Sequence, residues 1–170
     1  LKKLEKKDGI RRTITLDKQY RTHPVLGDFV SENFYERHGE VYIESPLPAE
    51  AFAHALPGLE NKACVWYDVP LRAGAETPGK SKSRPVEAAA IARHLKRMMD
   101  ADEGRGLTFG VIAFYREQVK VLYDELVEVG VAAKIEGGDE QYELFDKYKE
   151  DTVNGKKVEK LRIGTVDAFQ

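Results

Sequence analysis

Leu16-Asp17-Lys18-Gln19-Tyr20-Arg21-Thr22-His23-Pro24 sets a tyrosine beside an arginine where a strand-like pattern gives way to a helix-like one. A guanidinium on such a junction can aim a planar, permanently charged fork at a phosphate. The neighbouring ring offers a face on which a nucleobase can stack. A second stretch, Phe109–Val119, delivers Tyr115 and Arg116 from an apolar strand to the start of a helix, with Gln118 one step further on. A third, Ile163–Gln170, ends a strand in Thr165, Asp167 and Gln170. Ligands of open α/β sheets gather at the carboxyl ends of strands, which is where the second and third stretches put their polar groups. Each stretch also has a plainer reading. Tyr20 and Arg21 would then be a half-buried aromatic and a surface ion-pair partner. Tyr115 and Gln118 would cap or pack their helix, and Thr165 and Asp167 would close a turn.

Gly74-Ala75-Glu76-Thr77-Pro78-Gly79-Lys80-Ser81 carries the letters of a phosphate-binding loop, G-x-x-x-x-G-K-[ST]. Read alone, it makes the chain a self-contained P-loop NTPase using Gly74–Ser81. A working loop follows its strand closely and opens a helix at the Gly-Lys pair, so that the helix N-terminus faces the phosphates. Here Pro70–Ala73 separate it from the strand before, and Lys82–Pro85 separate Lys80 from the helix after. The context disfavours a phosphate loop. His23 reads as a first-turn structural residue, while His38, His54 and His94 have no metal-ligand spacing.

Strand and helix patterns alternate along the chain and predict an α/β fold with a mainly parallel sheet flanked by helices. Strands are predicted at Arg12–Leu16, Lys62–Val69, Thr108–Phe114, Val131–Ile135 and Leu161–Val166. Thr108–Phe114 is a near-continuous apolar run, as expected of a strand buried on both faces. Helices are predicted at Pro24–Tyr35, with Pro24 in the first turn, at Val86–Met99 with Ala89, Ile91, Leu95 and Met98 inward, and at Glu117–Val129, ended by Gly130. Residues 137–160 are highly charged and predict an inserted, solvated excursion, with a helix at Gln141–Lys149 and a turn at Asn154-Gly155.

With 170 residues, 42% hydrophobic and 33% charged, the chain has the size and make-up of one soluble domain. No apolar run approaches membrane-spanning length, and no signal peptide is visible, so a cytoplasmic setting without membrane attachment is expected. Cys64 is the single cysteine and is expected to be a buried, inert thiol in Ala63-Cys64-Val65-Trp66. A net charge of −2 argues against a nucleic-acid footprint over the whole surface. A local one survives at Lys2, Lys3, Lys6, Lys7, Arg11 and Arg12, which read equally as a solvated first turn. The chain begins without Met and stops within the pattern at Gln170, as a fragment would.

Taken together, the three stretches resemble the C-terminal motor domain of superfamily-1 helicases, in the branch of the nonsense-mediated-decay helicases and replication helicase-nucleases. That branch reads L-x-x-Q-Y-R-M-H-P followed by F-x-S-x-x-F-Y, which Phe29, Ser31, Phe34 and Tyr35 match just after the first stretch, then V-I-T-P-Y-x-x-Q, then T-V-D-x-F-Q-G-x-E. The matching segments run in the same order from Leu16 to Gln170. Thr22 stands where the branch has Met, and Ala113-Phe114 where it has Thr-Pro, which removes a hydroxyl able to touch a nucleic-acid backbone. The resemblance implies a single RecA-like domain over 1–170, the second of two motor domains, with 137–160 a charged insertion. ATP and Mg2+ would be held mainly by the missing N-terminal motor domain of the same polypeptide, and single-stranded DNA or RNA would cross both. It further implies that Tyr20 stacks on adenine and that Arg21 reaches the γ-phosphate as the catalytic residue, with Gln19 orienting the segment. Asp167 and Gln170 would couple the nucleotide cleft to the nucleic-acid contact at Thr165, and Tyr115 and Gln118 would line the strand's path. The fragment alone is then expected to be inactive, as part of an ATP-dependent helicase. A non-catalytic α/β binding module is the remaining alternative.

Overall fold

The computed structural model describes residues 16–136 and 141–169. The predicted strand at Arg12–Leu16, the basic cluster before it and Gln170 therefore lie wholly or largely outside the described residues. The chain divides into two units, Leu1–His54 with Leu59–Val65, and Ala55–Gly58 with Trp66–Gln170.

In the first unit, α1 (Pro24–Val30) continues through a π-helical turn at Ser31–Tyr35 and a 3-10 turn at Glu36–His38. Pro24 occupies the first turn, and the ring of His23 accepts a hydrogen bond from the Val25 amide, 3.2 Å away. This supplies one partner for the donors that every helix start leaves open. Gly39 ends the run with φ +73°, a left-handed cap that only glycine adopts without cost. The chain then returns along the helix as Tyr42–Ser45. Tyr42 donates to Asp28 at 2.7 Å, which pushes its hydroxyl up to about 12. Ser31 Oγ donates to the Ile43 carbonyl at 2.8 Å and accepts from the Ile43 amide at 3.1 Å. Glu44 closes a parallel bridge with Lys18 through Glu44 N to Asp17 O and Gln19 N to Glu44 O, at 2.7 and 2.9 Å. Val25, Phe29 and Phe34 keep the helical spacing read from the sequence yet remain largely exposed.

The second unit holds the apolar core. Helices α2 (Pro85–Asp100) and α3 (Arg116–Glu128) pack on each other through Ala88, Ala92, Leu95, Met99, Leu122 and Leu126. Of the predicted inward residues of α2, Leu95 is buried, whereas Ile91 is 37% exposed. The other fully buried positions are Ala88, Ala92 and Met99, one residue from Ala89, Ile91 and Met98 respectively. Two alanines at i and i+4 let α3 approach closely, so the small residues rather than the large one decide the buried side. α3 ends as foreseen at Gly130, φ +73°, where Gly130 N donates to Val127 O and Val131 N to Leu126 O. Those two bonds form a Schellman cap.

Strand β1 (Phe109–Ala113) pairs in parallel with β6 (Leu161–Thr165), and α3 lies in the connection. The other two ladders are antiparallel. β2 (Ala132–Lys134) pairs with β3 (Tyr142–Leu144), and β4 (Glu150–Val153) with β5 (Lys156–Glu159). The fold is thus mixed helix and strand with a small parallel sheet, and among the described residues the strands are not mainly parallel. Lys62–Val69 forms no ladder, and Cys64 within it is exposed rather than buried. Among the described residues no strand lies beside that segment to bury its thiol. β1 is open on one side, with Ile112 56% exposed, so the expectation of burial on both faces also fails. The predicted helix at Gln141–Lys149 resolves into β3 and the single turn α4 (Asp146–Lys149). The Asn154-Gly155 turn stands, with φ of +51° and +75°, the signature of a type I′ hairpin.

Candidate functional site

The first site is the Gln19–Thr22 turn. Gln19 Oε1 accepts from the amides of both Arg21 and Thr22, each at 2.8 Å. Its Nε2 donates to the Thr22 carbonyl at 2.9 Å and to Ser45 Oγ at 2.6 Å. One side chain therefore closes the turn on itself and ties it to the returning segment. An amide suits this because it carries an acceptor and two donors on one plane. With the backbone so held, Tyr20 projects outward at 60% exposure, and Arg21 is exposed. The Arg21 guanidinium has no hydrogen-bond or ion-pair partner among the described residues. An unpaired cation beside an uncovered aromatic can accept a phosphate and a base plane together. A cleft of about 530 Å³ lies against this turn, walled by Gly27, Ser31, Tyr35 and Ile43.

The second site is the carboxyl end of the parallel pair. The register Ala113↔Thr165 brings the ends of β1 and β6 side by side. Tyr115, Gln118, Thr165 and Asp167 thus collect at one end of one sheet. Beyond β6 the chain turns into a 3-10 segment, Val166–Phe169, that carries Asp167. Phe169 folds back over Gly110 and Gly164, and its ring lies 4.9 Å from the Arg162 guanidinium. Arg162 also donates to the Ala168 carbonyl. A Cβ on Gly164 would come within 2.8 Å of Ala168, so the glycine gives this turn the room to lie against its own strand.

Gln118 is engaged rather than free. Its Oε1 accepts from the Arg84 amide at 2.6 Å, and its Nε2 reaches the Arg84 carbonyl at 3.5 Å. Arg84, only 7% exposed, donates to the carbonyls of Val69, Pro70 and Gly74 and to Glu87 at 2.7–2.9 Å. Composition gave no hint of this buried arginine. The one available signal was its place before Pro85, which holds it extended at the helix start. Ser81 Oγ accepts from the Glu117 amide at 3.3 Å. The polar loop before α2 is thereby drawn to the start of α3, beside a cleft of about 230 Å³ that Tyr115, Phe114 and Ile112 help to line.

Lys80 lies in that loop, exposed, and the helix begins five residues later at Pro85. No helix N-terminus opens at Gly79-Lys80, as the spacing suggested. Among the described residues no group of three or more His, Cys, Asp or Glu side chains could hold a metal ion, and no helix is long and apolar enough to cross a membrane. Gln19, Tyr20 and Arg21 belong to the first unit, Tyr115, Gln118, Thr165 and Asp167 to the second, and Gln170 lies outside the described residues. Sequence reasoning missed Ser45, Gly27, Arg84, Gly110 and Gly164, whose roles arise from close approaches between segments distant in the chain.

A family model described as an AAA domain matches residues 1–170. No curated protein and no solved structure matches the chain.

Proposed function

Because the chain belongs to the AAA domain family, whose members occur in the C-terminal region of superfamily-1 helicases as helicase-like ATPase domains, we propose that it is the second, RecA-like motor domain of an ATP-dependent helicase or translocase. The observation that carries this reading is the Gln19–Thr22 turn, held by its own glutamine while it presents an exposed tyrosine and an exposed arginine whose guanidinium has no partner among the described residues. ATP and Mg2+ would be bound mainly by an N-terminal motor domain of the same polypeptide. Tyr20 would cover the adenine, and Arg21 would meet the γ-phosphate as negative charge spreads over its oxygens during transfer. A positioned arginine of this kind is worth about 10³–10⁵ in rate. Single-stranded DNA or RNA would run past the carboxyl ends of β1 and β6, touching Thr165 and Tyr115 through backbone and stacking contacts with little sequence preference. Asp167 and Gln170 would link that contact to nucleotide state. Gln118, bound to Arg84, would act by fixing the loop before α2 rather than by direct contact.

The isolated chain is expected to show no ATP hydrolysis, with or without single-stranded nucleic acid. Turnover by the isolated chain that Lys80→Ala abolishes and Arg21→Ala spares would replace this reading with a self-contained P-loop enzyme.

A further inference from the structure

The exposed aromatic and arginine are useful only if the turn beneath them keeps one shape, and the contacts that keep it involve a residue no motif contains. Ser45 stands 26 positions from Gln19 and accepts the 2.6 Å hydrogen bond from its Nε2. It can do so because residue 27 has no side chain. A Cβ built on Gly27, which is buried in α1, would overlap Ser45 Oγ and stand 2.9 Å from Gln19 Nε2. Gly27 is helical, so its need here is for space and not for an unusual backbone angle. The segment that carries Ser45 is itself fixed. Tyr42 is bonded to Asp28, Ile43 is bonded twice to the buried Ser31, and Glu44 bridges Lys18. Pro46 follows directly and restricts Ser45 to extended backbone. Tyr42–Ser45 is therefore a strap laid along α1, and its last residue reaches the turn.

We propose that Ser45, seated over the bare backbone of Gly27, is a positioning residue that locks the Gln19 side chain and through it the direction in which Tyr20 and Arg21 are presented to the nucleotide. The proposal rests on the reading of Tyr20 and Arg21 given above. The physics is that of a shared donor. Gln19 must use Oε1 for the two amides and Nε2 for the Thr22 carbonyl at once, and that fixes the amide plane only if the second N–H also has a partner. Without Ser45 Oγ, that N–H turns to water, the amide gains rotational freedom, and the Arg21 and Thr22 amides lose a steady acceptor. A loss of geometry of this kind falls on the chemical step, because reacting groups misplaced by about 1 Å cost on the order of 10²-fold in rate.

Two readouts separate the parts of this inference. The first uses the chain itself and measures exchange of the Arg21 and Thr22 amide protons with water by NMR, with the Gly130 amide as an internal control. Ser45→Ala is expected to speed exchange at Arg21 and Thr22 at least about five-fold and to leave Gly130 and the melting temperature unchanged. Gly27→Ala is expected to have the same local effect with a lowered melting temperature. The double variant Gly27→Ala/Ser45→Ala removes the overlapping hydroxyl, so it should regain thermal stability while exchange stays fast. Unchanged exchange in Ser45→Ala overturns the lock, whatever the domain's function. The second readout uses the full-length protein and compares kcat and KM for ATP. A fall in kcat of about ten-fold in Ser45→Ala, with KM changed less than three-fold, is the expected result. Fast exchange with unaltered kcat overturns the link between the lock and Arg21. If Arg21→Ala is also without effect on kcat, the motor-domain reading fails and the lock stands.

Discussion

Tyr20 and Arg21 are adjacent, exposed and differently equipped, and their separate contributions can be measured separately. Under the proposed function Tyr20 would offer area to a base plane in the bound ground state, so its loss should weaken ATP binding. In the full-length protein, Tyr20→Ala is expected to raise KM for ATP about ten-fold with kcat within about three-fold of wild type, and Tyr20→Phe to restore KM. An equal fall in kcat with KM unchanged would place the ring away from the base. The sequence made these two residues legible because each brings its chemistry with it, as a charge and as a ring. Gln19, expected from the sequence to orient the segment, makes four hydrogen bonds to the turn and to Ser45. Ser45 and Gly27 were not legible. A serine 26 residues away and a helical glycine acquire meaning only when the chain folds back on α1. Arg84 is a similar case, since nothing in its composition distinguishes a surface arginine from one that gathers three loop carbonyls.

Elements with local signals were readable to within a residue or two. α2 begins at Pro85, α3 ends at Gly130, and the hairpin turns at Asn154-Gly155, each because a residue with restricted or unusual backbone freedom sits there. Pairing was less readable. Lys62–Val69 has the apolar content of a strand, but a ladder needs a partner, and none lies beside it among the described residues. The apolar residues of α1 follow a helical period without being covered, because periodicity states which residues share a face and not what meets it. Within the charged stretch, the described residues 141–160 contain more order than their composition suggests. Asp100 at the end of α2 receives Lys96, Lys147 and the hydroxyl of Tyr148, and so ties α4 to α2. Those partners, Lys147 foremost, hold its carboxyl far below the usual carboxylate range. A depressed folded-state pKa stabilises the protein above the unfolded value, near 3.8, and that contribution is lost as pH falls below it. Asp100→Asn is therefore expected to lower stability at neutral pH by on the order of 1 kcal/mol. The difference from wild type should shrink as pH drops below about 4. Denaturant melts at neutral and acid pH check this, and a difference that stays constant with pH would show that the carboxylate charge is not what holds α4.

At the scale of the molecule, the family match over the whole chain agrees with the helicase-like character read from three short motifs. The mixed α/β architecture with a small parallel sheet agrees with the alternation of patterns, although among the described residues only the β1–β6 ladder is parallel and the other two are antiparallel. The two sites differ in how much the sequence revealed. The sheet-end site follows from topology, because parallel pairing of β1 with β6 must place Tyr115 and Thr165 at the same end. The turn at Gln19–Thr22 follows from residue identity, and it presents Tyr20 and Arg21 exposed. The most direct measurement is steady-state ATP hydrolysis by the full-length protein, with and without single-stranded nucleic acid, for wild type and Arg21→Ala. Arg21→Ala is expected to lower stimulated kcat by about 10³-fold or more, with the melting temperature unchanged because the guanidinium has no partner among the described residues to lose. A stimulated kcat within a few-fold of wild type would contradict the motor-domain reading.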